Sequence, residues 1–550
     1  MTATSAVRNL SPRRRAALSG AGLTAAVGVG AVLAYTAPPA VYVPYMAAVL
    51  CAEAVVVART VKRRMVETGS ANLRELVSPR NRRHRQRRER EARRLNAELR
   101  LLRDRLQAGF TGETTERLEE IAADTAVPAA SRSWAERILA DWRVRPPRAA
   151  DTAVLADGHF DVLFVSNFNL GGGTTQSNRN EIEMLRAAGK RVGLIHHPLH
   201  QMHSARPINA KILSLVDGDR VRMIEGSPKL SCDLLLMRFP PFADRLRDDL
   251  PEIDAAQKVL VVNQAPMTYY SLGTGHRPVW DVQTVHRNLH GWIGDHHWRT
   301  VGPLVHQALV DCHGKELHGV DLSPEHWYPS FDTAASQCRD ESPVPAVARV
   351  GRHSRDHVSK WPELAADLRN AYPEREDVAI RVLGGADFPR RILGRLPRNW
   401  SATAFDSVDV GEFLRHLDFY VYFVNSTLLE AFGRAPVEAM AAGLPTILPP
   451  RFQPVFGDGA LYAAPGEVAG IIGDLRADHN RYLKQRRVGL DTVERLFSHE
   501  AHRGRFRSLG IDLDGPRLAA VDQAAGEAAV HSSGNGNEEV SSAQAVLTWP

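Results

Sequence analysis

Two apolar runs open the chain, and alternating strand and helix periods fill most of the rest. Pro38 and Pro39 separate "AALSGAGLTAAVGVGAVLAYT" from "AVYVPYMAAVLCAEAVVVA", and Glu53 is the one charge between Arg15 and Arg59. Each run has about the 20 residues needed to cross a bilayer. Arg13, Arg14 and Arg15 precede the first run, and Lys62, Arg63 and Arg64 follow the second. Positive charge at both ends predicts a transmembrane hairpin over 15–58, after a basic tail at 1–14, with both termini cytoplasmic. A cleaved signal peptide also fits the first run, but it leaves the second unexplained. A single re-entrant or interfacial segment is a third reading.

Residues 59–150 form a basic and helical juxtamembrane region. "RNRRHRQRREREARR", Arg80 to Arg94, carries nine arginines, and Leu95, Leu99, Leu102 and Leu106 follow at helical spacing. No aromatic residue interleaves the arginines, so base stacking has no support. A basic run just after a membrane segment meets anionic headgroups more often than nucleic acid. Residues 113–145 predict two amphipathic helices split near Pro128. Packing beneath the main body is their default role.

From residue 151 the period changes. "DVLFVS" reads as a buried strand, "GGGTTQSN" as a glycine loop, "RNEIEMLRAAG" as a helix ending at Gly189, and "RVGLIHH" as the next strand. That is a βαβ unit with glycines where a Rossmann-like domain places its phosphate loop, although the GxGxxG spacing is missing. "SCDLLLMRF" and "QKVLVVNQAP" extend the same sheet, and "ESPVPA" at 341–346 is a short linker. A second α/β series follows: "AVARVGR", "KWPELAADLRNAY", "VAIRVLGG", "VGEFLRHLD" and "FYVYFV". Two Rossmann-like domains, 151–340 and 341–514, predict a cleft between them. Residues 515–550 lose periodicity and turn to Ala, Ser, Gly, Asn and Glu, the composition of a disordered tail.

Composition adds two constraints. At 550 residues the chain is too long for one domain, and its net charge of +6 is modest but unevenly spread. Cys51, Cys232, Cys312 and Cys338 lie far apart with no CxxC pair, which argues against a disulfide framework or structural zinc. His196, His197, His200 and His203 cluster after a strand, but with no cysteine or carboxylate nearby no metal is expected. His196 and His197 are instead candidates to touch a ligand in the cleft, as are Asn263 and Gln264 at the end of another strand.

The densest chemical signal is "EAFGRAPVEAMAAGLPTILPP", Glu430 to Pro450. Pro436 suits a first helical turn, while Gly443 and Pro445 read as its end. A helix N-terminus offers free N–H groups and partial positive charge, which suit a phosphate. A carboxylate beside it suits hydroxyls. The plain alternative is that Glu430 and Glu438 only favour the N-terminal half of the helix.

The E-x7-E spacing of Glu430 and Glu438, with "GRHSRDHVSKWPE" at 351–363, "VLGG" at 382–385 and the glycines at 171–173, resembles the retaining glycosyltransferases of family 4. The resemblance covers roughly residues 158–510 and implies an α/β GT-B fold, two Rossmann-like domains facing a cleft. It implies that Glu438 accepts hydrogen bonds from ribose hydroxyls and that Glu430 lies near the donor sugar. Backbone N–H groups around Phe432, Gly433 and Arg434 would meet the diphosphate. Arg352 and Lys360 look like the basic pair that neutralises the leaving phosphates, although they stand further apart than in many members. Gly172 and Gly173 would let the other domain's backbone approach the diphosphate, or else simply form a tight strand–helix turn.

In such enzymes retention needs no protein nucleophile, so the two glutamates are not an acid/base pair. The resemblance implies a nucleotide-sugar donor as substrate and neither metal nor cofactor. With the hairpin, it implies an inner-membrane enzyme with cytoplasmic catalytic domains, an anionic membrane surface as partner and a lipid-linked or cell-envelope glycan acceptor. Nucleic acid is not expected. The rival readings are a nucleotide-sugar epimerase of the same fold and a non-catalytic membrane scaffold.

Overall fold

The computed structural model describes residues 79–144, 158–200, 206–226, 229–271, 274–333 and 338–514. The expected hairpin over 15–58 and the tail over 515–550 lie outside these residues. Among the described residues, no helix is long and apolar enough to cross a membrane. The chain divides after Glu98 into two units. The described part of the first is the arginine-rich start of a helix, Pro79–Gln107.

The two amphipathic helices expected around Pro128 are present as Gly112–Ala123 and Ala129–Val144. Leu118 and Ile121 on one and Ala135, Ile138 and Leu139 on the other are buried. Burial of each larger side chain is worth about 1.5–3 kcal/mol. This helical region is fixed to the first α/β domain at one corner. Asp248 Oδ2 accepts the Thr111 N–H at 2.6 Å, and Phe110 lies edge-on to His197 and His200.

The first α/β domain is built on β1 (His159–Ser166), β2 (Val192–His196), β3 (Val221–Met223), β4 (Lys229–Arg238) and β5 (Glu252–Val262). A hairpin, β6 (Met267–Ser271) and β7 (Thr274–Pro278), stands apart from this sheet. β8 (His297–Thr300) and β9 (Asp321–Leu322) complete it in the order β3-β2-β1-β4-β5-β8-β9, with every pairing parallel. Parallel strands covered on both faces need apolar side chains on both, which is why "DVLFVS" and "DLLLM" read as continuous runs.

The second domain repeats the design with β10 (Ala348–His353), β11 (Val378–Leu383), β12 (Trp400–Thr403), β13 (Phe419–Val421), β14 (Thr446–Leu448) and β15 (Leu461–Tyr462). Its order is β12-β11-β10-β13-β14-β15, again all parallel. In both sheets the winding direction reverses, between β1 and β4 and between β10 and β13. Beyond the carboxyl ends of the strands at such a reversal, helices on the two sides diverge and leave a crevice.

The two crevices face each other. Segments leaving the carboxyl edge of the first sheet meet segments leaving that of the second: Tyr270 N–H donates to Thr427 O at 2.7 Å, and Leu429 N–H to Thr268 O at 3.3 Å. Phe432 packs against Tyr328 and Phe331, with ring centroids 6.1 and 6.2 Å apart. The chain then returns to the first domain. In and after the helix His499–Arg507, Phe506, Leu509, Ile511 and Leu513 join the apolar core beneath β1, β2 and β4. His502 lies 3.1 Å from Glu181, which also receives Arg238 at 2.5 Å and the Trp327 indole N–H at 3.1 Å, all within the core.

Two local readings need adjustment. The glycine loop ends sooner than "GGGTTQSN" suggests, since the helix Gly173–Ala187 already includes Thr174 to Asn178. The segment "KWPELAADLRNAY" is helical only over Ala365–Ala371. Pro362 disfavours helical dihedrals at Trp361, which is extended at φ −131° and ψ 150°.

Candidate active site

Glu430 and Glu438 stand on either side of a turn that opens the helix Arg434–Ala441. Gly433 has φ +89°, and a Cβ built there would lie 3.2 Å from Phe452. Only glycine holds that left-handed geometry comfortably. Pro436 falls within the first turn, as its fixed φ favours, and Gly443, at φ +70°, ends the helix. By their position the Arg434 and Ala435 N–H groups have no intrahelical acceptor. Arg434 Nη1 is likewise buried without a hydrogen-bond partner.

Each glutamate has a basic partner from the other side of the β10–β13 reversal. Lys360, which ends a short 3-10 turn, places Nζ 2.5 Å from Glu430 Oε2, and Tyr422 donates its hydroxyl to the same oxygen at 3.3 Å. His353, the last residue of β10, places Nε2 2.8 Å from Glu438 Oε2, and Arg434 Nε lies 2.8 Å from Glu438 Oε1. Burial pushes both carboxyls towards the neutral form. For Glu430 the Lys360 ammonium outweighs that push; for Glu438 the His353 hydrogen bond and Arg434 charge do so. Both acids are held below the usual carboxylate range and are ionised at neutral pH.

Arg352 has a different setting from the one the resemblance implies. It is fully buried, with Cζ 3.7 Å from the Trp361 ring centroid. Its guanidinium donates to Tyr372 Oη at 2.9 Å, to Phe423 O at 3.0 Å, to Ser354 Oγ at 3.2 Å and to Lys360 O. Arg352 therefore ties the Lys360 turn to the sheet, and Lys360 alone of the pair reaches Glu430.

Phe432 is buried, its ring packed among Tyr328, Phe331, Phe456 and Phe497. Gly172 caps its helix at φ +88°, and neither it nor Gly173 would bring a Cβ within 4 Å of another atom. Asn263 reaches this helix start, donating to Thr174 Oγ1 at 3.0 Å, and its Oδ1 is buried without a partner. Gln264 contributes its carbonyl to the Trp280 indole N–H at 3.0 Å. These residues gather at the carboxyl edge of the first sheet.

The histidines separate. His197 is fully buried, its Nδ1 2.9 Å from Pro198 O and its Nε2 accepting the Arg247 N–H at 3.1 Å. Both ring nitrogens are committed to the fold, and burial with the Arg247 charge holds its pKa down at about 3. His196 accepts the Phe168 N–H on Nδ1 at 3.1 Å, and burial lowers its pKa to about 4. Among the described residues, no group of three or more His, Cys, Asp or Glu is arranged to hold a metal. A cavity of about 520 Å³ lies elsewhere, between Leu106, Trp134, Ile138 and Trp142, and contains none of the candidate residues.

His353 was legible only as the residue after Arg352 in "GRHS". Its register at the end of β10, opposite Glu438, is what makes it part of the site.

No family model and no curated protein sequence matches this chain. Among solved structures, Anabaena Alr3699/HepE in complex with UDP and glucose is similar over 64% of this chain and 100% of its own, at 13% identity and a TM-score of 0.43. A glycosyltransferase from Rickettsia africae is similar over 63% of this chain and 97% of its own, at 13% identity and a TM-score of 0.43. An alpha-glucosyltransferase in complex with UDP and a 13-mer DNA containing an HMU base is similar over 64% of this chain and 99% of its own, at 12% identity and a TM-score of 0.41.

Proposed function

We propose that this protein is a retaining glycosyltransferase that moves a sugar from a nucleotide-sugar donor to a membrane-associated or cell-envelope glycan acceptor. The observation that carries the reading is the grouping of Glu430, Lys360, Glu438 and His353 around one helix N-terminus, at the strand-order reversal of the second sheet. A nucleotide sugar needs a hydroxyl acceptor for its ribose, cationic donors for its diphosphate and a further carboxylate near its sugar. Glu438, the first-turn N–H groups with Arg434 and Lys360, and Glu430 supply these in order along the site. Asn263 and the Gly172–Gly173 turn would approach from the first domain.

The chemistry asked of the chain is positioning and charge stabilisation. The bond from the sugar's anomeric carbon to the phosphate oxygen breaks with its electron pair passing to the diphosphate. The acceptor oxygen bonds to the same carbon from the same face, and its proton passes to a phosphate oxygen. Lys360, the Arg434 guanidinium and the helix N-terminus stabilise the charge that develops on the diphosphate. Glu430 and Glu438, both ionised, are poorly suited to donate a proton to a leaving group, which favours this route over glycosidase-like acid/base chemistry. No metal or cofactor is invoked. The hairpin pattern over 15–58 and the arginines over 80–94 support an enzyme at the inner membrane whose catalytic domains are cytoplasmic and whose basic helix meets anionic lipid.

The test is release of nucleoside diphosphate from a panel of nucleotide sugars by the full-length protein in lipid vesicles, with and without membrane glycan extracts. Acceptor-dependent release that Glu430→Gln abolishes supports the reading, and NMR of the product anomer reports the stereochemistry. Release without any acceptor points to an epimerase or hydrolase, and nucleotide binding without release points to a scaffold.

A further inference from the structure

We infer that His353, backed by Tyr420, is a positioning residue that fixes the Glu438 carboxylate for a vicinal diol and so makes the site selective for ribonucleotides. The inference rests on the donor-site reading above and deepens it.

Tyr420 is fully buried on β13, and its hydroxyl lies 3.1 Å from His353 Nδ1 and accepts the His353 backbone N–H at 3.2 Å. A carboxylate can only accept, so the 2.8 Å contact with Glu438 Oε2 requires the proton on Nε2. Nδ1 then faces the Tyr420 hydroxyl, which also donates to His353 O at 3.4 Å. The ring is held at both ends and cannot flip without losing a bond. Glu438 Oε1 takes Arg434 Nε at 2.8 Å, so each oxygen is gripped once from within the protein.

A carboxylate has about four lone-pair sites, two on each oxygen. His353 and Arg434 occupy one on each, which leaves one on each oxygen. The Glu438 side chain is 24% exposed, whereas His353 is 10% exposed. The remaining acceptors therefore form a matched pair at fixed spacing, suited to two adjacent hydroxyls. A carboxylate without the histidine would keep its charge but rotate about its last torsion, and the pair would lose register. Since Tyr420 and His353 sit on β13 and β10, the two strands that flank the reversal, the relay also sets the carboxylate relative to the crevice.

The test is titration calorimetry on the full-length protein, using UDP, GDP, ADP and CDP and the 2′-deoxy and 3′-deoxy forms of whichever binds. Wild type is expected to favour the ribonucleotide by about tenfold or more, the scale of a hydrogen bond to a charged group. His353→Leu should weaken the ribonucleotide by a similar factor, leave the deoxy forms nearly unchanged, and so erase the discrimination. His353→Gln, which restores an N–H donor, should recover most of it, and Tyr420→Phe should lose part. If His353→Leu weakens ribo and deoxy forms equally, or discriminates as wild type does, the inference is overturned. Should that variant fail to fold, Tyr420→Phe carries the same comparison. If wild type binds none of the nucleotides, the donor-site reading itself fails and this inference with it; if it binds ribo and deoxy forms alike, this inference alone falls.

Discussion

Lys360 Nζ lies 2.5 Å from Glu430 Oε2, although the two residues are 70 positions apart. A diphosphate entering the cleft competes with Glu430 for that ammonium. Replacing Glu430 by Gln should therefore tighten nucleoside diphosphate binding by a few-fold while turnover falls. Lys360→Met should lower kcat by about 100-fold or more, in line with the loss of a charge-stabilising donor. Calorimetry and steady-state kinetics on the two variants check this; weaker diphosphate binding in Glu430→Gln would show that the carboxylate supports the phosphates instead of competing for their cation.

Arg352 makes a different prediction. Its removal leaves the carbonyls of Phe423 and Lys360 without a buried donor and strips the contact with Trp361. Arg352→Met should cost about 2–4 kcal/mol in urea unfolding, because a buried network loses its charged member. Full retention of stability with loss of turnover would mean that the guanidinium works in the cleft.

The glycines separate turn geometry from open space. Gly433→Ala must adopt φ +89° against Phe452, so it should destabilise by about 1–2 kcal/mol and weaken diphosphates more than nucleosides. Gly173→Ala begins a helix with no atom within 4 Å of the new Cβ, and should be neutral or slightly stabilising by thermal melt. If it also weakens donor binding, backbone at that turn approaches the diphosphate.

His197 contributes to acid sensitivity. Its folded pKa is held down at about 3, below the ordinary value of 6.5, so between these pH values the unfolded chain binds a proton that the folded chain does not. The stability it contributes is complete above about pH 6.5 and is lost as pH falls towards 3, with a limiting slope of about 1.4 kcal/mol per pH unit. The pH dependence of unfolding in His197→Gln should be shallower than wild type by nearly one proton between pH 6 and 4.5. An unchanged slope would place the acid sensitivity elsewhere.

Strands such as β1, β4, β10 and β11 and the position of the glutamates were legible because their signals are local, whereas the order of strands within each sheet is not a local property. A run such as "DVLFVS" needs no distant partner to read as a buried strand, and Gly433, Pro436 and Gly443 mark the helix by their own backbone preferences. What escaped was the orientation and pairing of side chains brought together by the sheet. Arg352 and His353 are adjacent in β10 and therefore point to opposite faces, and nothing in "GRHS" says which faces the crevice. The choice depends on Trp361, Tyr372 and Glu438, whose contacts with Arg352 or His353 span 9 to 85 positions in the chain. The histidine run posed the same question. Whether His197 meets ligand or protein is set by Phe110, Phe242 and Arg247, contributed by three other segments.

The most direct measurement is calorimetric titration of the full-length protein and Glu438→Ala with UDP, GDP, ADP and CDP. The account predicts that one nucleoside diphosphate binds wild type and that Glu438→Ala, still folded, binds it about tenfold or more weakly. Failure of all four to bind the folded wild type at about millimolar concentration, or equal binding by the variant, would contradict a donor site at Glu438.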